Sequence, residues 1–331
     1  MARPLTSYKK VLVTGGYGLV GEALQWAVSV DHQDNPALGR LQGEEWVFVG
    51  RKDADLRDYT AAYDLFNQHR PDAVIHLAAR VGGVFENSLR PAEFLHDNLA
   101  IDQNVTRICK ELNVKRLVSC LSTCIFPDRV TYPINEAMLH DGPPHGSNYG
   151  YAYAKRLLEV TSRAYREQFG CDFVTVIPTN IFGPNDNFGE GCHVVPALIK
   201  RVSEAKRTNN PVLVIAGSGS AWRQFIYSRD LAQLLLWTLR MYDGLEPLIL
   251  AGDSDEEVTI KHVVKLLCDI IGFQGEVAWD RTKTDGQLRK TADNSRMRRL
   301  VGPMELTSFE KGLRETVEWF TMNQDRVRGS T

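Results

Sequence analysis

The chain has 331 residues, 43% of them hydrophobic and 24% charged, with a net charge of −2; that is ordinary globular usage, with room for one large lobe and a smaller one. No Lys/Arg block is long enough to track a nucleic acid, and no run reaches the roughly 18 apolar residues of a membrane span. The opening "MARPLTSYKK" lacks the apolar core of a signal peptide, so the expectation is a cytoplasmic protein whose anionic ligands are held by a local site, with neither nucleic acid nor membrane as partner.

The first predicted strand, "KKVLVTG" (9–15), runs into "GGYGLVG". Gly16, Gly18 and Gly21 satisfy G-x-G-x-x-G, and Gly15, Gly18 and Gly21 the variant G-x-x-G-x-x-G. After a strand and opening a helix at Leu19 and Val20, that spacing supplies a tight turn, a backbone without Cβ against a pyrophosphate, and a helix N-terminus facing its charge. The second strand, "EWVFVG" (45–50), ends at Arg51 and Lys52, where an NAD site places an acid on the ribose hydroxyls. Two cations suit a 2′-phosphate, which points to NADP(H); the plainer alternative is a pair of solvated loop charges. Asp55 and Leu56, just before the next helix, are candidates for the adenine.

"DAVIHLAA" (72–79) is the third strand, followed by a helix over 91–112 with Pro91 at its start. "KRLVSCLS" (115–122) is the fourth, and it delivers Ser122, Thr123 and Cys124 to its end. A helix over 148–170 follows, stopped by Gly170, and then the fifth strand, "DFVTVIPT" (172–179). Near-continuous apolar runs alternating with helices of crossover length make a doubly wound parallel α/β sheet of Rossmann type. From residue 181 the pattern loosens. A helix at 194–207, strands "PVLVIAG" and "RQFIYS", a helix "RDLAQLLLWTLRMY", a strand "EPLILAG", a helix near 260–271, a strand "GEVAWD" and a helix near 308–322 follow. These read as a smaller mixed α/β lobe interleaved with the last strands of the sheet. The expected division is a nucleotide-binding domain over 8–180 with a returning segment near 222–252, and a substrate lobe over 181–221 and 253–325; the tail "DRVRGST" is expected to fray. The six cysteines form no C-x-x-C pair, which argues against zinc and a redox dithiol and for reduced thiols.

In "NYGYAYAK" Tyr151 alone of three tyrosines stands four residues before Lys155, on one helical face. A tyrosine starts near pKa 10, and bringing it near 7 takes roughly 4 kcal/mol, which a neighbouring ammonium can supply. Gly-rich turn, strand-end Ser, then Tyr-x-x-x-Lys: in this order the chain resembles the extended short-chain dehydrogenase/reductase family. The resemblance maps that family's triad onto Ser122, Tyr151 and Lys155, and its N-x-x-G-P segment beside the nicotinamide onto "PTNIFGP" (178–184), hence Pro178, Asn180 and Ile181.

Within the family, a Cys two residues after the Ser is similar to the 3,5-epimerase/4-reductase branch that acts on GDP-4-keto-6-deoxymannose. "AARVGG" (78–83), "STCIFP" (122–127), "PTNIFGPNDNF" (178–188), "HVVPALI" (193–199), "RQFIYSRDLA" (223–232) and "TDGQLRKT" (284–291) agree with it in order. The resemblance implies that Cys124 and His193 exchange protons at C3 and C5, and that Ser122 holds the keto oxygen while Tyr151 and Lys155 serve an NADPH-dependent reduction at C4. It further implies that Ala78, Ala79, Lys155 and His193 line the cofactor, that Thr123, Arg201, Arg223, Asp285 and Lys290 hold the GDP-sugar, and that the chain forms a homodimer through the helices 91–112 and 148–170. The product would be GDP-L-fucose. One departure is Ala216, where the family commonly has Trp before the "GSG" turn. A single-activity NADP-dependent nucleotide-sugar 4-epimerase or 4-reductase, with Cys124 and His193 as packing residues, is the alternative; a non-catalytic dinucleotide-binding regulator is a third, though such proteins typically lose the Tyr or the Lys. No metal site is expected.

Overall fold

The computed structural model describes residues 4–30, 32 and 35–325; the tail expected to fray lies outside them, Asp325 apart. The apolar runs of the first half become strands β1 (Lys10–Thr14), β2 (Glu45–Val49), β3 (Ala73–His76), β4 (Arg116–Cys120) and β5 (Phe173–Pro178). Between them lie helices α1 (Leu19–Ser29), α2 (Tyr59–His69), α3 (Val84–Leu89), α4 (Pro91–Glu111) and α5 (Tyr149–Phe169). Gly170 ends α5 with φ 68°, the left-handed stop expected of it.

Strand β6 (Asn180–Phe182), α6 (Val194–Arg207), β7 (Val212–Ala216), β8 (Trp222–Arg223), β9 (Phe225–Tyr227), α7 (Ser228–Met241) and β10 (Leu248–Leu250) follow. Then come β11 (Val258–Thr259), α8 (Ile260–Ile271), β12 (Glu276–Asp280), α9 (Ser295–Val301) and α10 (Phe309–Met322). The central sheet runs β2-β1-β3-β4-β5-β10, parallel throughout. Its order reverses between β1 and β3, and in such sheets ligands sit at the carboxyl ends of the strands beside that switch.

Period-two alternation sorts the strand residues. Val11, Val13, Ala73 and Ile75 enter the core under α1 and α7, whereas Leu12 and Val74 enter the one under α2 and α4. Continuing the alternation puts Thr14 and His76, register partners at the ends of β1 and β3, on the α4 face. The α4–α5 crossing needs a glycine: a Cβ at Gly150 would collide with the Pro91 carbonyl, so α5 approaches α4 closely there.

The remaining strands pair two by two, β6 with β9, β7 with β12 and β8 with β11, around a core with Phe182, Phe188, Phe225, Phe309 and Phe320. The sequence suggests one strand at "RQFIYS"; instead the run divides at Gln224 into members of two sheets. Gln224 explains the division. Buried, it donates Nε2 to the carbonyls of Gly252 and Ala292 and accepts from the Ala292 amide, bonds that pin the chain to a neighbouring segment instead of continuing a ladder. No helix of the described residues is long and apolar enough to cross a membrane.

Candidate active site

The turn after β1 has the shape its glycines predict. The Gly16 amide donates to the Val49 carbonyl at 2.9 Å and the Gly18 amide to the Gly15 carbonyl at 3.0 Å; a Cβ at Gly21 would overlap Gly16, so α1 starts hard against the turn. Gly18 caps α1 without any side chain, leaving the Leu19–Val20 end of the helix to an outside acceptor. A glycine-lined turn with a helix N-terminus open beyond it fits a dinucleotide diphosphate.

At the end of β2, Arg51 and Lys52 are both exposed, beside half-buried Asp55 and buried Leu56. Asp55 is already engaged: the Arg57 guanidinium grips it from Nε at 3.0 Å and Nη2 at 2.6 Å and holds its carboxyl down to about 2. Asp55 is thus a permanent anion shared with Arg57, and an adenine amino group would share it too. Arg51 and Lys52, not Asp55, are the residues placed to answer a phosphate. Ala78 and Ala79 lie half-buried past β3, and the Ala78 amide donates to Thr14 Oγ1 at 3.3 Å.

Strand β4 carries half-buried Ser122, then a single helical turn, Thr123–Ile125. Ser122 Oγ accepts the Cys124 amide at 3.4 Å, which holds the hydroxyl and the thiol at one strand end. Cys124 is 7% exposed. It lies near apolar Leu121, Ile125 and Ala152, yet Ser122, Lys290 and Lys155 all bear on it, so the sulfur sits at the polar edge of that cluster. Burial pushes the thiol up, against the pull of Lys290.

Tyr151 departs from the expectation for its ionisation. Its phenol is pushed well above its ordinary value, by burial first and then by Cys124, Cys120 and Asp102. The lowering expected from Lys155 is absent because the Lys155 ammonium is committed elsewhere, to the Asp102 carboxylate at 3.1 Å and 3.4 Å. A tyrosine so held is a proton donor, the state that reduction of a carbonyl requires. Cys120 also belongs to this neighbourhood, since Lys155 and Asp102 both bear on it.

From the other lobe, His193 stands at the N-terminus of α6 but does not cap it with its side chain. The residue is exposed, yet neighbouring protein atoms desolvate the imidazole enough to hold it below its ordinary value, neutral at neutral pH. Arg201 is exposed on α6, whereas Arg223 and Lys290 are half-buried. Arg223 Nη2 donates to the Asp285 carbonyl at 3.3 Å. Burial depresses Lys290, with Cys124 counteracting and Arg223 and Asp128 also bearing on it. The Asp285 carboxylate accepts from Ser218, whose amide and hydroxyl donate at 2.8 and 2.6 Å, and so clamps the turn after β7. Trp279 packs against Gly219 of that turn, and exposed Trp222 lies just beyond it. Pro178 is buried in β5; Asn180 and Ile181 are half-buried on β6, with Asn180 Nδ2 donating to the Gln224 carbonyl at 3.1 Å.

Three residues that sequence patterns passed over complete the floor of the site: Thr14, His76 and Asp102. Thr14 Oγ1 meets His76 Nδ1 at 2.7 Å, and His76 Nε2 meets Asp102 Oδ1 at 3.0 Å.

Residues 11–250 match the NAD dependent epimerase/dehydratase family. The chain is 45% identical over 325 residues to the GDP-L-fucose synthase of Dictyostelium discoideum, covering 98% of each, and 45% identical over 327 residues to a probable GDP-L-fucose synthase of Drosophila melanogaster, covering 97% of this chain and 99% of that one. Among solved structures, a GDP-L-fucose synthetase from Naegleria fowleri bound to NADP superposes with a TM-score of 0.89 at 42% identity, covering 98% and 97% of the two chains.

Proposed function

The chain belongs to the NAD dependent epimerase/dehydratase family and stands among its GDP-L-fucose synthases, and from that premise we infer that it converts GDP-4-keto-6-deoxy-D-mannose to GDP-L-fucose by epimerisation at C3 and C5 and reduction at C4. The observation that carries this reading is the company Cys124 keeps: a thiol beside Ser122 and Tyr151, with the Lys290 and Lys155 ammonium groups also bearing on it.

The 4-keto group acidifies the protons on C3 and C5. Ser122 and the Tyr151 hydroxyl, donating to the keto oxygen, stabilise the enolate that forms when either proton leaves. Cys124 and His193 between them hold one proton and one vacant base, so one removes a proton from the ring carbon and the other returns one to the opposite face. NADPH, when bound, supplies hydride to C4. Tyr151 then gives its proton to the C4 oxygen as it becomes an alkoxide, and Lys155, four residues on along α5, is the cation to stabilise the tyrosinate left behind. Arg201, Arg223 and Lys290 supply the cations that a nucleoside diphosphate needs.

Incubation with the keto-sugar and NADPH in heavy water tests the whole reading. We expect deuterium at C3 and C5, hydrogen from NADPH at C4, and the L-configured product. A C4-reduced product free of solvent label would transfer the assignment to a single-activity reductase.

Exposed Arg51 and Lys52 support NADP(H) over NAD(H). Arg51→Ala should raise the KM for NADPH roughly 10-fold, the order of one charge-assisted hydrogen bond to phosphate, and leave the KM for NADH unchanged; steady-state kinetics with both cofactors reads this directly.

Dimerisation through α4 and α5 is supported by an apolar stripe on the outer face of α5, where Tyr149, Tyr153 and Leu157 recur every fourth residue and Leu157 is 45% exposed. The stripe adjoins α3, whose Phe85 is 83% exposed and whose Ser88 bonds the Ser147 carbonyl just before α5. Sedimentation should give a dimer at micromolar concentration, and Tyr153→Asp combined with Leu157→Asp a monomer. A wild-type monomer would remove this part of the proposal. All six cysteines are free, which supports a reducing, cytoplasmic setting.

A further inference from the structure

Behind the catalytic face Lys155 joins a chain of buried polar groups, Asp102, His76 and Thr14, to which neither the proton transfers nor the cofactor contacts described above assign a role. Lys155 is 2% exposed, Asp102 3% and His76 1%. Unpaired charges are not left in such places. The Asp102 carboxylate receives Lys155 Nζ on both oxygens, at 3.1 Å and 3.4 Å, and meets His76 Nε2 at 3.0 Å. His76 Nδ1 meets Thr14 Oγ1 at 2.7 Å, and Thr14 Oγ1 already accepts the Ala78 amide.

These bonds fix the protons. The Asp102 carboxylate can only accept, so His76 carries its hydrogen on Nε2, and the bare Nδ1 of the neutral ring accepts from the Thr14 hydroxyl. His76 is then the Nε2–H tautomer and donates to Asp102. Burial, which disfavours a charged imidazole here, agrees with this assignment. The Asp102 oxygens are thus left to the ammonium. Backbone design serves the same end: His76 and Thr14 are brought to the α4 face by strand alternation, Thr106 ties the backbone of α4 by donating to the Asp102 carbonyl at 2.6 Å, and Gly150 admits α5 close enough to α4 for Lys155 to reach.

We propose that Asp102, oriented by the His76–Thr14 pair, is the positioning residue that holds the Lys155 ammonium, one helical turn from Tyr151 on α5, and couples it to the end of β1, where the diphosphate turn begins. The proposal rests on the reductase reading above. It concerns only the half of the chemistry that uses Lys155. The groups facing the ammonium are Asp102 from α4, His76 from β3, Cys120 from β4 and Cys124 from the turn after it; of these only Asp102 is bonded to it. Removing that carboxylate leaves a buried ammonium without a counter-charge, which then neutralises or swings away. Either outcome spoils support for the tyrosinate formed on reduction and leaves the Cys124/His193 exchange alone.

Two variants test this. Asp102→Asn keeps shape and removes charge; His76→Gln keeps the ion pair and loosens its orientation. Each is assayed for solvent deuterium exchange at C3 and C5, for single-turnover hydride transfer to C4, and for NADPH affinity by fluorescence titration, with thermal melting as the folding control. We expect Asp102→Asn to lose about 10²-fold in hydride transfer, the order expected of a misplaced catalytic group, His76→Gln to lose roughly 10-fold, and exchange to stay within about 3-fold in both. Equal losses in exchange and hydride transfer, or no loss in either variant, would overturn the proposal. Should Asp102→Asn not fold, the His76→Gln ratio of the two rates decides. Failure of the wild type to turn over the keto-sugar would count against the substrate reading instead, and the proposal would then be judged on NADPH affinity: a weakening in both variants supports it, and an unchanged affinity rejects it.

Discussion

Tyr151→Phe should lower hydride transfer to C4 by about 10³–10⁴-fold and leave solvent exchange at C3 and C5 within roughly 10-fold. Reduction forms an alkoxide at the C4 oxygen, and only a donor in contact with that oxygen relieves it in the transition state; losing a positioned acid removes about 4 kcal/mol or more. Exchange needs the oxygen only as an enolate, and there Ser122 continues to donate, so the effect is smaller. The ionisation of Tyr151 fits this division. Burial and its neighbours push the phenol well up, so it remains an acid throughout the neutral range, and reduction should fade only on the alkaline side as the phenol finally ionises. A rate of hydride transfer in Tyr151→Phe within 10-fold of wild type would remove Tyr151 as the donor, leaving Ser122 and Thr123 as the remaining hydroxyls at the strand end. Product analysis by NMR, run alongside NADPH consumption, separates the two halves in one experiment.

How far such roles can be seen in the sequence depends on whether they are local. The diphosphate turn is local: Gly15 to Gly21 follow an apolar strand and open a helix, and each needs only its immediate neighbours to take shape. The parallel sheet is nearly so, because strands covered on both faces have to be apolar along their length. The positions of Ser122 at a strand end and of Tyr151 one helical turn from Lys155 follow from spacing, but Cys124 and His193 carry no local mark of chemistry, and only similarity to a family picks them out. Thr14, His76 and Asp102 are the reverse case. Their bonds link residues 26 to 62 positions apart, and no local pattern records that pairing. A trace of it is present: His76 interrupts an apolar strand on the face of Val74, and Asp102 sits one turn from Asn98 and Thr106, all three polar and buried on α4. Asp285 makes another pairing that no local pattern records. The turn after β7 leaves the Ser218 amide and hydroxyl to be satisfied, and Asp285, 67 positions on, is the acceptor that meets them.

Cys124→Ser carries the second large effect and decides between one activity and two. A serine hydroxyl is a far weaker acid than a thiol and cannot stand in as the second proton carrier, so exchange at C3 and C5 should fall by about 10²–10⁴-fold. Hydride transfer depends on Tyr151, Lys155 and Ser122, none of which is altered, and should continue on the ring as it arrives. The variant therefore ought to release a C4-reduced sugar that has kept the configuration of the substrate at C3 and C5. His193→Asn should act in the same sense, because one group without its partner can remove a proton but cannot deliver one to the other face. The wild-type pair begins from a thiol that burial and Lys290 pull in opposite directions and an imidazole that desolvation keeps neutral. Its exchange rate should accordingly hold from neutrality down past the ordinary imidazole value of about 6.5 before protonation of His193 removes the base. Label entering C3 and C5 of Cys124→Ser as fast as in the wild type would make the sulfur a packing atom and the protein a reductase alone. Slow label with fast hydride transfer would show that the two steps share one carbonyl and are carried by different side chains.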